Sequence, residues 1–306
     1  MMDKTLFAVI GPTAIGKTRL AIKLAQHFNT EILSADSRQF FKEMSIGTAV
    51  PSNEELQMAT HHFIQHKSIF DQYTVGNYEK DALSRLKILF EGNDYGVIVG
   101  GSGLYVDAVV NGLDHFPEIP TQIREKLVTL QNSKGLSYLQ EQLKQKDPVY
   151  YEKVDLENPH RVIRALEVCI TSGKPYSSFL NQRKETRTFK TIYIGITAER
   201  EVIYDRINKR VDIMLSEGLL DEATSLYEHK NLNALQTVGY RELFNYLDGN
   251  HTLDFAIEEI KKNTRRFAKR QLTWYRKNND ILWVNFDDKV PKILSKIDNQ
   301  LNQKNE

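Results

Sequence analysis

Residues 11–18 read G-x-x-x-x-G-K-T: Gly11, Pro12, Thr13, Ala14, Ile15, Gly16, Lys17 and Thr18. Glycines let a backbone curl so that successive N–H groups point inward at a phosphate. A helix starting directly afterwards adds its partial positive charge. Lys17 can neutralise phosphate oxygens, and the Thr18 hydroxyl can reach a phosphate-bound Mg²⁺. Two further chemistries stand out. Asp36 follows a short apolar run, where it reads equally as a turn or cap residue or as an acid on the same rim as the loop. Arg206 and Arg210, four apart, suit bidentate contact with a leaving phosphate, although surface arginines are common.

These side chains need a scaffold. Residues 6–10 form an apolar run that predicts a buried strand, and residues 17–28 a helix. Residues 31–35 predict a second strand; in doubly wound sheets ligands sit outside the carboxyl ends of the strands, which would put Asp36 beside the loop. Residues 40–71 are polar, with Gly47, Pro51 and the pair His61-His62. Adjacent histidines do not share a helix face, and a tetrahedral metal site needs three or four ligands with no third one nearby, so metal binding is not the expected reading there. A helix over 78–90 and a strand over 95–99 follow. That strand ends in Gly100-Gly101-Ser102-Gly103, where many phosphate-loop ATPases carry a Mg²⁺-binding Asp. Glycines there admit a close backbone or ligand and argue against a motor or switch NTPase.

Pro117 and Pro120 mark a change of character. Beyond them come helical patterns without a convincing strand, including a helix opened by Asn158-Pro159 and closed by Gly173. Val162, Leu166, Cys169 and Ile170 form its expected apolar stripe; His160, Arg161 and Arg164 lie off it, on a face that could be merely solvated. A strand returns at 191–196, then a helix over 199–216 with Ile203, Ile207, Met214 and Leu215 as its expected buried side. Residues 261–277 hold eight Lys or Arg and no acid. On a helix they predict one broad cationic face, with Ile260, Thr264, Phe267 and Trp274 opposite it. Like charges at four-residue spacing cost stability, so a polyanionic partner is the better explanation. Residues 280–286 predict a last strand, and the polar tail after Asp288 a frayed end.

The 306 residues allow one large or two modest domains, and 41% apolar content is that of an ordinary globular chain. A net charge of +1 excludes a globally basic nucleic-acid binder. The single cysteine, Cys169, permits no internal disulfide. No signal peptide or membrane-length apolar run is visible, so a cytoplasmic protein is expected. The order of elements predicts an α/β fold, a parallel sheet flanked by helices with an inserted all-helical subdomain: residues 1–114 and 189–306 as the two parts of the core, the second with the basic helix, and 115–188 as the insertion.

Taken together, these stretches resemble the bacterial tRNA dimethylallyltransferases, the isopentenyltransferases that modify an adenosine beside the anticodon. The matching pieces are the loop at 11–18, Ser-Ala-Asp-Ser-Arg-Gln at 34–39, Ile-Gly-Thr-Ala at 46–49 and His-His-Phe-Ile at 61–64. Further along are Gly-Gly-Ser-Gly-Leu-Tyr at 100–105, Asn-Pro-His-Arg-Val-Ile-Arg at 158–164, Val-Gly-Tyr-Arg at 238–241 and Lys-Arg-Gln-Leu-Thr-Trp-Tyr-Arg at 269–276. The resemblance covers nearly the whole chain; it departs locally at Phe63-Ile64-Gln65, where an apolar-acidic ending after His-His is usual. It implies a P-loop kinase-like fold, Asp36 as general base, and Lys17, Thr18 and Arg210, with Thr13, around the diphosphate of dimethylallyl diphosphate, with Mg²⁺ as cofactor. It implies contacts with a tRNA anticodon stem-loop at Asp36, Ser37, Arg38 and Gln39, at Ser102 and Arg124, and at His160, Arg161, Val162, Ile163 and Arg164. Gln236, Thr237, Val238, Gly239, Tyr240 and Arg241 are implied too, as are Lys269, Arg270, Gln271, Leu272, Thr273, Trp274, Tyr275 and Arg276. Eukaryotic relatives carry a zinc finger that one cysteine cannot build, so a bacterial-type enzyme is implied; a monomer is expected. The rivals are a small-molecule kinase, an enzyme prenylating free adenine nucleotide, and an RNA-binding, NTP-responsive module. The first two would have little use for the cationic helix, and a glycine where a switch protein has its acid speaks against the third.

Overall fold

The computed structural model describes residues 4–182 and 186–303. The chain divides into two compact units, one made of residues up to 111 and from 187 onward, the other of 112–186. The first unit runs β1 (Thr5–Ile10), α1 (Lys17–His27), β2 (Ile32–Ser34), α2 (Asn53–Met58), β3 (His61–His62), α3 (Val75–Gly92), β4 (Tyr95–Gly100) and α4 (Gly103–Asn111). The second unit holds α5 (Thr121–Lys134), α6 (Leu136–Lys146), α7 (Pro148–Tyr151) and α8 (Pro159–Ser172). The first unit then resumes with β5 (Lys190–Thr197), α9 (Arg200–Ser216), α10 (Leu219–Ser225), α11 (Tyr240–Leu247), α12 (Leu253–Tyr275), β6 (Leu282–Asn285) and α13 (Val290–Gln303).

The six strands form one parallel sheet in the order β3-β2-β4-β1-β5-β6. β1 lies between β4 and β5 and is buried along its whole length, which is why it reads as an unbroken apolar run rather than an alternation. Its residues serve two cores. Phe7 and Val9 pack with Leu20 and Leu24 of α1, Ile203 and Ile207 of α9, and Ile293 and Ile297 of α13. Leu6, Ala8 and Ile10 pack on the other face with Tyr78 and Leu86 of α3 and Val106 and Val109 of α4. Helices therefore cover both faces, and the carboxyl ends of β1, β2 and β4 are left to carry chemistry. A third core, built on Met44, Val211, Leu235, Tyr240, Phe244 and Ile260, gathers α9 to α12.

In the second unit α8 packs with α5 and α6 through Leu127, Leu139, Leu143, Val162 and Leu166. The start and stop signals of α8 act as expected: the Asn158 side chain accepts from the Arg161 N–H, Pro159 opens the helix, and Gly173 closes it at φ 68°. Asp147 is fully buried, and its carboxylate accepts from Tyr150 N, Ser177 N and the Ser177 hydroxyl.

Four expectations need correction. Ile170 is 43% exposed, because α8 turns Val162, Ile163, Ala165, Leu166 and Cys169 inward instead. Met214 and Leu215 are only partly covered, and Val211 completes the buried stripe of α9. α12 buries Ala256, Ile260, Ala268, Gln271 and Tyr275 along one face, with Thr264 half-buried between the second and third, and leaves Phe267 and Trp274 exposed. The tail is no frayed end: α13 docks Ile293 and Ile297 into the core. Residues 304–306 of that predicted tail lie outside the described residues.

Candidate active site

The loop at 11–18 joins β1 to α1 and owes its shape to three residues with positive φ: Gly11 at 147°, Ala14 at 63° and Gly16 at 102°. Gly11 is also a matter of space, since a Cβ there would lie 2.6 Å from the Ile196 carbonyl oxygen. Cations surround the loop. Lys17 Nζ donates to the Pro12 carbonyl at 2.8 Å, Arg206 Nε to the Ala14 carbonyl at 2.8 Å, and Arg210 approaches the Thr13 hydroxyl at 3.4 Å. Burial pulls the Lys17 pKa down to about 8; the charge of Asp36 opposes that shift and Arg210 adds to it. Burial also lowers the pKa of Arg210, again opposed by Asp36. Desolvated cations with so little compensation mark a place that gains from an incoming anion.

Asp36 sits just beyond β2 and accepts the Arg38 N–H at 3.2 Å. The adjacent end of β4 explains why that strand carries glycine and not an acid. A Cβ on Gly100 would fall 2.6 Å from the Ala35 carbonyl oxygen, and one on Gly101 would collide with the Gln271 amide. Gln271 is buried and ties the rim together: its Oε1 accepts Thr13 N at 2.8 Å and its Nε2 donates to Gly101 O at 2.9 Å.

Lys17, Thr18, Asp36, Arg206 and Arg210 open onto one cavity of about 910 Å³. The lining has a second, apolar character supplied by Ile46, Ala49, Val50, Pro51, Ile64, Ile213 and Met214. Residues 45–51 had read as an undistinguished polar connection, so this half of the site was missed as geometry; the Ile-Gly-Thr-Ala run at 46–49 was its one visible signal. His61 lines the cavity too, with Nδ1 on the Ala59 carbonyl, while His62 pairs with Glu31. Among the described residues, no three His, Cys, Asp or Glu side chains could hold a metal between them. A hydroxyl beside a phosphate loop is the kind of donor a phosphate-bound Mg²⁺ takes from a protein, and Thr18 lines the cavity next to Lys17.

The residues expected to meet RNA separate into groups. Ser37 and Ser102 lie together, their hydroxyls 3.3 Å apart. The guanidinium of Arg38 is spent on the carbonyls of Asn233 and Ala234, and the Gln39 amide on those of Thr48 and Ala49. Gln236, Arg241, Lys269, Arg270, Thr273, Trp274 and Arg276 are exposed, whereas Thr237, Val238 and Leu272 are partly covered. Trp274 is held by Asp107, its indole N–H donating at 2.8 Å. In the second unit His160, Arg161 and Arg124 are exposed, and Arg164 lies 5.2 Å from the Phe116 ring centroid. Arg124 and Arg164 both pair with Glu167, whose side chain is 2% exposed.

Other members of that set are internal. Val162, Ile163, Gly239, Tyr240, Gln271 and Tyr275 are buried, so their side chains present no surface to a partner. The reason is geometric: a contiguous motif wraps around a helix, and only one face of the helix looks outward. The cationic face is also narrower than its sequence. Lys261 pairs with Asp212 and Glu258, Lys262 with Glu259, and Arg265 binds Asn208. The remaining exposed charge is that of Arg266, Lys269, Arg270, Arg276 and Lys277.

A parallel sheet flanked by helices, with a phosphate loop after its central β1, is a P-loop kinase-like fold. Within that class, the sequence pattern of the family described as IPP transferase matches residues 39–278, and the chain belongs to that family. The tRNA dimethylallyltransferase of Flavobacterium johnsoniae is 61% identical over 95% of this chain and 96% of its own length. That of Christiangramia forsetii is 58% identical over 98% and 100%. Among solved structures, the full-length tRNA isopentenylpyrophosphate transferase of Bacillus halodurans superposes with TM-score 0.73 and 36% identity over 99% of this chain and 98% of its own. A eukaryotic dimethylallyltransferase acting on tRNA gives TM-score 0.78 at 27% identity, over 98% of this chain and 77% of its own.

Proposed function

We propose that the protein transfers a dimethylallyl group from dimethylallyl diphosphate to N6 of an adenosine beside the tRNA anticodon, releasing diphosphate. The observation that carries this reading is a single cavity joining the phosphate loop, Lys17, Arg210 and Asp36 to an apolar wall. A nucleotide kinase has no need of that wall, and a prenyl donor needs both halves. The identity with the tRNA dimethylallyltransferases supports the same reaction.

In the mechanism, loop amides, Lys17 and Arg210 hold the diphosphate and neutralise the charge that grows on it as the allylic C–O bond breaks. The Thr18 hydroxyl would help hold a Mg²⁺, whose charge would supply further neutralisation there. The apolar lining receives the hydrocarbon and keeps water from the allylic carbon. The target adenosine leaves its stack to reach the cavity, as base-modifying enzymes generally require. Its N6 forms the new C–N bond while the Asp36 carboxylate accepts the N6 proton, and the diphosphate departs with the electron pair of the broken bond. Exposed cations of α12, together with Arg124, His160, Arg161 and Arg164 of the second unit, would grip the anticodon stem-loop. The enzyme would act as a monomer in the cytoplasm, where its tRNA substrate is found. Incubation with radiolabelled dimethylallyl diphosphate and either tRNA or AMP tests the proposal: label should appear on tRNA adenosine, and label on AMP alone would refute it.

A further inference from the structure

Residues 45–51 contain no helix or strand, yet Ser45, Ile46, Thr48, Ala49, Val50 and Pro51 all line the cavity. Their shape is imposed from elsewhere. One carboxylate oxygen of Glu222, in the first turn of α10, accepts Ser45 N at 2.9 Å and Ile46 N at 2.8 Å. The other accepts Gly47 N at 2.9 Å and the Tyr240 hydroxyl at 2.6 Å. Gly47 is pressed on the Tyr240 ring, where a Cβ would sit 2.7 Å from ring atoms. Ala49 is held in the left-handed region at φ 49°, a conformation a non-glycine residue keeps only where its surroundings over-determine it. Glu222 lies 175 residues beyond Gly47 in the chain and is not itself among the cavity-lining residues.

We infer that Glu222 is a positioning residue that shapes the apolar wall of the cavity, and through it sets donor affinity and the length of prenyl chain accepted. This rests on the cavity's taking a prenyl diphosphate. The argument is one of hydrogen-bond inventory. An ionised carboxylate only accepts, so both oxygens serve the four donors without conflict. In either orientation a glutamine would turn its NH₂ toward at least one backbone N–H, that of Gly47 or those of Ser45 and Ile46, and a partly buried donor left without its acceptor is costly. The turn at 45–47 would then relax, carrying Ile46, which packs on the third core as Met214 does.

The test is steady-state prenylation of an anticodon stem-loop by the wild type, Glu222→Gln, Tyr240→Phe and Gly47→Ala, with dimethylallyl and geranyl diphosphates as competing donors. Circular dichroism melting establishes that each variant is folded. Glu222→Gln should raise the KM for dimethylallyl diphosphate about tenfold, leave kcat at saturating donor and the KM for RNA within about twofold, and relax discrimination against the geranyl donor by about tenfold. Gly47→Ala should reproduce it from the other side of the contact. Tyr240→Phe should move both readouts in the same direction by about threefold, because three amides remain on the carboxylate. A purely structural role would lower melting temperature without this split between donor KM, kcat and chain length. Folded variants with wild-type donor KM and selectivity overturn the inference while leaving the prenyl-transfer reading intact. Should Glu222→Gln not fold, unchanged values in the other two overturn it equally. A wild type that prenylates no RNA with either donor overturns both.

Discussion

The phosphate rim and the helical insertion both display cations, held in opposite ways. At the rim, Lys17 and Arg210 are desolvated, and neither has a carboxylate in ion-pair contact among the described residues. In the insertion, Arg124 and Arg164 remain about half exposed and share the buried carboxylate of Glu167. An unpaired buried charge is a standing cost that a bound anion would offset. Paired, exposed arginines are equally at home on a surface that binds nothing, and by themselves they declare no partner.

Substitutions should sharpen that contrast. The largest effect is expected at Asp36: Asp36→Asn should lower kcat by about 10²–10⁴ while stem-loop affinity in a gel shift stays near wild type, and near-normal turnover would remove the carboxylate from its role. Lys17→Met should lower kcat/KM for the donor by about 10²–10³. The same change should raise stability, by about 1–3 kcal/mol at pH 7 in urea unfolding. Glu167→Gln should do the reverse, lowering stability by about 1–3 kcal/mol with no change in donor KM. If both variants shift stability in the same direction, the contrast between the two regions fails.

The pH dependence follows from Lys17. Its pKa of about 8 in the folded chain lies below the ordinary 10.5. Below about pH 8 the lysine is charged both folded and unfolded, and the cost of burying the charge is paid in full. Between the two values the unfolded chain binds the extra proton, so stability from this group rises with pH and the penalty is gone above 10.5. Donor binding runs the other way: the diphosphate needs the charged lysine, so donor KM should climb above about pH 8, by at most tenfold per unit. A flat KM from pH 7 to 9 would contradict this. The smallest effect is expected on α12, where Lys269→Ala or Arg270→Ala should weaken stem-loop binding modestly and reduce the slope of log K against log salt by about 1 each.

Legibility in the sequence followed the same division. The strand–loop–helix at residues 5–27 and the place of Asp36 could be read because their geometry is local: an apolar run, a glycine pattern, then a helical period. The glycines after β4 could be seen, but not their cause, since Ala35 and Gln271 reach them only through tertiary folding. Gln271 itself looked like part of an RNA-facing motif, because nothing in a basic helix announces which turn faces the core. The wall at 45–51 was the least legible part, an irregular segment whose shape is dictated by Glu222 and Tyr240 nearly two hundred residues away. The tail is hard to read for a related reason: its polar residues outnumber Ile293 and Ile297, yet those two at four-residue spacing, with Leu294 and Leu301 packed beside the core, dock α13.

The central claim is that backbone amides and desolvated cations hold an isoprenoid diphosphate while Asp36 deprotonates an RNA amine. It is tested most directly by single-turnover transfer from radiolabelled dimethylallyl diphosphate to an anticodon stem-loop, followed by nucleoside analysis. The account predicts label on N6 of one adenosine with the wild type and its loss in Asp36→Asn, even with both substrates bound. Label that forms at the wild-type rate in that variant, or that reaches only free nucleotide, would contradict it.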